Sequence, residues 1–358
     1  MSPLAPGSTI GIVGGGQLGR MLALAAARLG FDVAVLDPEA DCPAGRVAAR
    51  TIVGGYGDAG ALAALAEVSD VVTTEFENAP AGPLQRLVDR GVTVAPNPMA
   101  LAVAQDRVLE KGFLNAAGAP TTPYAAVDGP EDIRPALERL GAPALLKTRR
   151  EGYDGKGQRW VERAADADAA WEAIGRRPAI LEARADFRRE LSVIAARGRD
   201  GDVALYPLTE NRHADGILRL SRAPAVADEG LALAAERLAR RVLGGLEYVG
   251  VMGVELFELA DGRLLVNEIA PRVHNSGHWT LDACEVDQFE QHIRAVAGWP
   301  LGRTTPFSGC EMENLIGDDV DRWPQLAAEP GARVWLYGKR EARPGRKMGH
   351  VNRLRPLP

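Results

Sequence analysis

Glu255 and Glu268 fall on the two arms of a hairpin that the sequence nearly spells out. Gly253 to Leu259 alternates and is rich in strand formers, Asp261-Gly262 offers a left-handed turn, and Leu264 to Ile269 returns. A two-residue turn pairs Ala260 with Arg263 and sets Glu255 directly opposite Glu268, on one face with Phe257 and Val266. The same alternation turns Asn267 away from Glu268. Two carboxylates side by side repel and weaken a sheet unless a cation sits between them. Hard oxygen donors suit Mg²⁺, with Mn²⁺ as an alternative, the rest of the shell being water and phosphate oxygens. A solvated hairpin edge also explains the pair taken alone. It does not explain the polar run that follows, from Asn267 through Arg272 and His274 to His278.

A second constellation is the glycine-rich loop Gly152, Tyr153, Asp154, Gly155, Lys156, Gly157 and Gln158. Backbone N–H groups of such a loop can lie over phosphates while Lys156 adds charge. The G-x-x-x-x-G-K-[ST] spacing of a P-loop is absent, and an exposed hairpin tip is the plain alternative. Lys147 closes the apolar strand Ala144-Leu145-Leu146, within reach of α- and β-phosphates; otherwise it snorkels to solvent. The chain has five lysines, Lys111, Lys147, Lys156, Lys339 and Lys347, in a background of arginine. A lysine kept in such a background suggests a need for a compact point charge.

These residues need elements to hold them. The first hundred residues alternate strand and helix signals: Ile10 to Val13, a helix from Gln17 to Leu29, Val33 to Leu36, a helix from Ala59 to Glu67, Val71 to Thr74, and Val92 to Ala95. That is a parallel α/β unit. Its first turn, Gly14-Gly15-Gly16-Gln17-Leu18-Gly19, matches G-x-G-x-x-G, with Asp37 ending the second strand. Read literally, that is a dinucleotide site, although tight strand-to-helix turns need glycine for packing in any case. One helix is expected from Met99 to Ala117. Strands follow at Ala144 to Lys147, Ile180 to Glu182 and Glu190 to Ala195, with an apolar helical stripe from Glu229 to Leu243 to cover them.

Length and composition bound the rest. A chain of 358 residues, 46% hydrophobic and 25% charged, suits two or three soluble domains. Its net charge of −6 gives no electrostatic case for a nucleic-acid or membrane partner. No apolar run reaches spanning length and no signal-peptide pattern opens the chain, so the expected location is cytoplasmic. Cys42, Cys284 and Cys310 are too few and too far apart for a disulfide framework or structural zinc. His274 and His278 sit four apart, but Ser276-Gly277 between them speaks against a helical zinc pair.

Six ordered motifs together resemble the 5-(carboxyamino)imidazole ribonucleotide synthetase family of ATP-grasp enzymes. They are Gly14 to Met21, Gly152 to Gln158, Glu190 to Ile194, Asn211 with His213 and Gly216 to Leu218, Asn267 to Trp279, and Gly345 to His350. The resemblance implies an α/β and α+β chain of three parts: a Rossmann-like (pre-ATP-grasp) domain at 1–106, a two-lobed ATP-grasp domain at 107–298, and a small β-rich C-terminal domain at 299–358. It implies ATP, bicarbonate and 5-aminoimidazole ribonucleotide as substrates, Mg²⁺ on Glu255 and Glu268, and a homodimer. Lys147, Lys156 and Arg272 would be catalytic, with Arg107 sharing phosphate charge and the Gly152 to Gln158 loop serving as lid. Glu182, Ala183, Arg184 and Ala185 match the hinge that reads adenine, Glu190 the acid on the ribose, and His213 and Asn267 further nucleotide positions. Gln17, Glu75, Tyr153, Arg272, His274, Asn275 and Ser276 match the ribonucleotide side, with Arg343, Arg346 and Lys347 on its 5′-phosphate.

Two positions depart from the family pattern: Val273, where a proline is usual, and Ala183, where a second acid is common. The rivals are a formate-dependent glycinamide ribonucleotide transformylase, whose loop carries Asp-Thr-Gly in place of Asn275-Ser276-Gly277, a nicotinamide dehydrogenase, and a silent nucleotide sensor.

Overall fold

The computed structural model describes residues 2–152 and 156–357. Strands β1 (Thr9–Val13), β2 (Asp32–Asp37), β3 (Arg50–Val53) and β4 (Val71–Thr74) form a parallel sheet in the order β3-β2-β1-β4. Period-two alternation divides its side chains. Ile10, Ile12, Val33 and Val35 face α1 (Gln17–Arg28), while Ala34, Leu36 and Val72 face α2 (Ala59–Glu67) and α3 (Ala81–Asp89). The strand expected at Val92 to Ala95 is reduced to one bridge, Val72 to Val94. Pro96, which has no N–H to donate, stops the ladder there.

The single helix expected from Met99 to Ala117 is two, α4 (Pro98–Ala104) and α5 (Arg107–Ala116). Asp106 makes the break: it leaves helical geometry and its side chain accepts from the N–H groups of Val108 and Leu109, capping α5.

The second sheet is antiparallel, with β5 (Tyr124–Val127), β6 (Ala144–Thr148), β7 (Gln158–Val161) and β8 (Ala179–Ala183) in the order β5-β8-β6-β7. Its apolar side chains pack with those of α6 (Pro130–Leu140) and α7 (Ala167–Ala173).

The third sheet holds nine strands: β9 (Phe187–Arg197), β10 (Val203–Leu205), β11 (Thr209–Ala214), β12 (Ile217–Ala223), β13 (Gly250–Leu259), β14 (Leu264–Ala270), β15 (Gly309–Ile316), β16 (Ala332–Leu336) and β17 (Lys347–Arg355). They run β14-β13-β9-β11-β12-β15-β17-β16, with β10 on β9. The stripe on α8 (Glu229–Gly245), from Leu231 through Leu238 to Leu243, meets Leu191, Val193, Val254 and Leu256, as its periodicity requires. Short α9 (Thr280–Ala283) leads to α10 (Gln288–Ala297), whose Phe289, Ile293 and Val296 share a core with α1 and the first sheet. The last helix is α11 (Trp323–Ala328). The C-terminal strands continue the central sheet through β12 and β15, where Leu220 pairs with Glu313. Among the described residues no helix is long and apolar enough to cross a membrane.

Candidate functional site

The hairpin turn has three residues, not two. Leu259 N–H donates to the Arg263 carbonyl at 2.9 Å, and Gly262 takes the left-handed position at φ +80°. The extra residue shifts the outer register, so Phe257 pairs with Leu265 while Val266 pairs with Leu256 and lies in the core, not on the glutamate face. A bulge between Val254 and Leu256 then sets Asn267 and Glu268 together opposite Glu255. Asn267 is therefore not turned away: its Nδ2 lies 3.5 Å from Glu255 Oε2. Burial first, then the charge of Glu268, push the Glu255 carboxyl up to about 7. A pair of glutamates under mutual repulsion beside an amide oxygen can hold a hard cation that completes its shell with phosphate oxygens. Among the described residues no group of three or more His, Cys, Asp or Glu is arranged for a metal.

Lys147, at the end of β6, reaches Glu182 of β8 at 3.0 Å. Lys111 of α5, 1% exposed, pairs with the other Glu182 oxygen at 3.5 Å and donates to the Asn267 carbonyl at 3.2 Å. Burial alone would raise the Glu182 carboxyl; the charges of Lys147 and Lys111 outweigh it and hold the group low. Next to Lys111, buried Glu110 accepts the N–H of Ile269 at 2.7 Å, and burial, then Glu268, push it up to about 8. Neither Glu110 nor Lys111 was expected at the site. The scarcity of lysine was the one signal that pointed to Lys111, and nothing in the sequence said which element α5 would face.

Arg107, first in α5, reaches from there to the Thr148 and Gly152 carbonyls at 3.4 and 2.9 Å, so it steadies the start of the glycine loop. Gly157 sits at φ +70°, and a Cβ there would meet Thr148 Oγ1 at 2.8 Å. Gln158 opens β7 and Lys156 is exposed beside it; Tyr153, Asp154 and Gly155 lie outside the described residues. A cleft of about 540 Å³ is lined by Lys147, Glu182, Ala183, Arg184 and Ala185, with Leu145, Trp160, Phe187 and Phe257 as apolar walls. Phe187 and Phe257 stack at 4.4 Å. The Ala183 N–H is already committed to the Pro123 carbonyl at 2.9 Å, which leaves recognition of a base to other backbone groups of the hinge. Glu190 and His213 meet at 2.7 Å. Burial would lower His213, but the hydrogen bond and charge of Glu190 prevail and raise it.

The glycine turn serves its own domain. Gly15 N–H donates to Asp37 at 2.7 Å, and those of Gly16 and Gly19 donate to Glu75 at 2.9 and 3.3 Å. Asp37 also accepts from Glu39 N–H and Tyr56 Oη. The amides that would cradle a pyrophosphate, and the acid that would hold a ribose, are thus occupied from within, which removes the basis for a dinucleotide site. Gln17 opens α1 beside this turn. Arg272 pairs with Glu77, and His274 Nε2 lies 3.3 Å from Glu255 Oε1. Asn275 is buried with its amide against Asn314, and Ser276 is buried against Ser192 and His274. Lys347 opens β17, and burial first, then the charges of Arg272 and Lys347, hold His274 well below the ordinary histidine range. Arg343 pairs with Glu341 in the exposed loop before it, and Arg346 donates to the Glu341 carbonyl.

Comparison with known proteins agrees with this arrangement part by part. Family models match residues 7–105 as a ribonucleotide synthetase preATP-grasp domain, 112–289 as an ATP-grasp domain, and 310–356 as a phosphoribosylaminoimidazole carboxylase C-terminal domain. The chain is 55% identical over 355 residues to an N5-carboxyaminoimidazole ribonucleotide synthase of Brucella melitensis, covering 99% of this chain and 98% of that one. It is 44% identical to that of Bacillus subtilis, covering 97% and 91%. A solved ADP complex of such a synthetase superposes with TM-score 0.95 at 43% identity, covering 99% and 94%. The Aspergillus clavatus synthase, solved with ADP and 5-aminoimidazole ribonucleotide, gives 0.92 at 33%, covering 98% and 95%. The chain belongs to the N5-carboxyaminoimidazole ribonucleotide synthase family of ATP-grasp enzymes.

Proposed function

We propose that this enzyme carboxylates 5-aminoimidazole ribonucleotide at the expense of ATP, giving N5-carboxyaminoimidazole ribonucleotide, ADP and phosphate in purine biosynthesis. The observation that carries the reading in the geometry is Lys111. It ties Glu182, on the wall of the cleft, to the strand that bears Asn267 and Glu268. A nucleotide seated against Glu182 to Ala185 thereby has its phosphates directed toward the carboxylate pair.

Bicarbonate is a poor electrophile and the exocyclic amine a weak nucleophile, so activation comes first. A bicarbonate oxygen attacks the γ-phosphorus, the bond to ADP breaks, and carboxyphosphate forms. The amine nitrogen then takes the carboxyl carbon, phosphate leaves, and the nitrogen gives up a proton. Mg²⁺ held by Glu255 and Glu268 would neutralise charge on the transferring phosphoryl group. Lys147 and Lys156 add point charge there, and Arg107 fixes the loop that would exclude water from carboxyphosphate. Arg272, His274 and Lys347 line the ribonucleotide side, with Gln17, Glu75 and the segment Asn275-Ser276 behind it. The same reading carries a homodimer, a cytoplasmic location and domain boundaries near 106 and 298.

The test is ADP release in a coupled assay with Mg²⁺. Turnover that requires both bicarbonate and 5-aminoimidazole ribonucleotide is the expected result. Turnover driven by formate with glycinamide ribonucleotide would move the chain to the transformylase reaction, and no ADP under either condition would overturn an ATP-dependent ligase.

A further inference from the structure

His274 meets Glu255 through Nε2 and Ser276 through Nδ1, with Ser276 Oγ 2.9 Å away. From Nδ1 a line of side chains leads away from the site into the central sheet. Ser276 Oγ lies 2.7 Å from Ser192 Oγ on β9, Ser192 Oγ 2.9 Å from Asn211 Nδ2 on β11, and Asn211 Oδ1 2.8 Å from Ser221 Oγ on β12. All four residues are buried, so water does not compete for these groups.

Each hydroxyl has one proton to give, so such a line runs in one of two directions. The His274 end has fixed polarity. The main-chain N–H of Ser276 also points at His274 Nδ1, at 3.4 Å, and a main-chain N–H can only donate. Nδ1 must therefore present a lone pair. The neutral ring then carries its one proton on Nε2, which faces Glu255 Oε1 at 3.3 Å. Ser276 then gives its hydroxyl proton to Nδ1, Ser192 to Ser276, the Asn211 amide to Ser192, and Ser221 to the Asn211 oxygen. Every donor is used and none opposed. The reverse direction sets Nδ1–H against a main-chain N–H. Gln288 fixes the main chain that carries the ring, accepting from His274 N–H at 2.9 Å and donating to its carbonyl at 2.8 Å.

We propose that Ser192 and Asn211 are positioning residues that, through Ser276, hold His274 as its Nε2–H tautomer, a donor to Glu255 Oε1 with no lone pair facing the cation site. The consequence is a division of labour within one carboxylate. Oε1 is turned to His274, and Oε2 is left on the side of Asn267. His274 is then neither a metal ligand nor a base through Nε2; it orients a ligand. The importance of this for turnover rests on the proposed reaction, but the tautomer is read on the resting protein, so the two can fail separately.

The experiment is a long-range proton–nitrogen correlation spectrum of the full chain labelled with ¹⁵N-histidine, with His274 assigned by the loss of its signals in His274→Gln. The expected pattern is a protonated Nε2 and an unprotonated Nδ1; a proton on Nδ1 would overturn the proposal. Asn211→Asp is nearly isosteric but cannot donate, so it draws the Ser192 proton toward itself and with it that of Ser276. The expected result is a population of the Nδ1–H tautomer and a kcat about ten-fold lower, with KM for ATP unchanged. An unaltered tautomer in that variant would refute the chain. If the variant does not fold, the unmodified protein still decides: His274 Nδ1 should show no one-bond proton coupling, and a one-bond coupling there would overturn the proposal.

Discussion

Glu255 sits where burial and a neighbouring negative charge both oppose its ionisation, and that conflict is the clearest residue-level mark of function in the chain. Glu268→Gln removes the repulsion and one candidate ligand together. The fold should stay intact, with unchanged circular dichroism and a Tm equal to or above that of the parent, while bicarbonate-dependent ADP release falls at least about a hundred-fold. Retained turnover would remove the cation role from the pair. The two glutamates were legible because their types and spacing are costly for a plain strand. Asn267 was not, because a bulge is a property of two strands at once and alternation along one cannot reveal it. Glu110 and Lys111 were hidden for a similar reason: α5 is amphipathic by sequence, but its docking on β14 is tertiary. Asn275 matched its motif, yet the structure commits its amide to Asn314, a partner 39 positions away.

Among the elements, the break between α4 and α5 does the most to organise the nucleotide side. Asp106 caps α5, which carries Arg107, Glu110 and Lys111, and its carboxylate also holds Arg149 at 2.7 Å and Arg150 at 3.0 Å at the root of the glycine loop. Asp106→Ala should cost about 2 to 4 kcal/mol from the lost cap and charged hydrogen bonds. It should also raise KM for ATP by freeing the loop root. Asp106→Asn, which keeps the cap, should fall between in urea denaturation; equal losses in the two variants would show that the cap contributes nothing. Apolar periodicity ran through this break unmarked, which is why one helix was expected, although Asp106 is an ordinary N-cap type. Val273 has a comparable lesson. It is fully buried in the main core, so packing holds the segment between Arg272 and His274.

At the scale of the whole molecule, buried histidines make the fold acid-sensitive. His292 accepts the Val251 N–H and meets Thr73, and burial lowers it to about 4; His350 is lowered to about 3 by the same cause. The unfolded chain takes up these protons near the ordinary histidine value and the folded one does not, so stability is present above about pH 6.5 and is lost as pH falls toward 4. His292 alone, lowered from 6.5 to about 4, accounts for about 3 kcal/mol at the acid end. His213, which is raised, works in the opposite sense: its stabilising share is present at low pH and is lost as pH rises through its folded value. His292→Gln should flatten the dependence of unfolding free energy on pH between 6.5 and 4 by about one proton's worth, and an unchanged slope would clear His292 of the effect. The four parallel strands of the first sheet and the existence of the hairpin, though not its turn length or register, were legible from turn chemistry and alternation. The joining of β12 to β15 was not, because strand order across the 85 residues between Ala223 and Gly309 leaves no local trace. That joint means the last fifty residues are not a detachable module. A chain ended before Gly309 would leave β12 as a raw edge from Leu220 to Ala223, a template on which further copies could stack, and it should leave the soluble fraction as aggregate where the full chain does not.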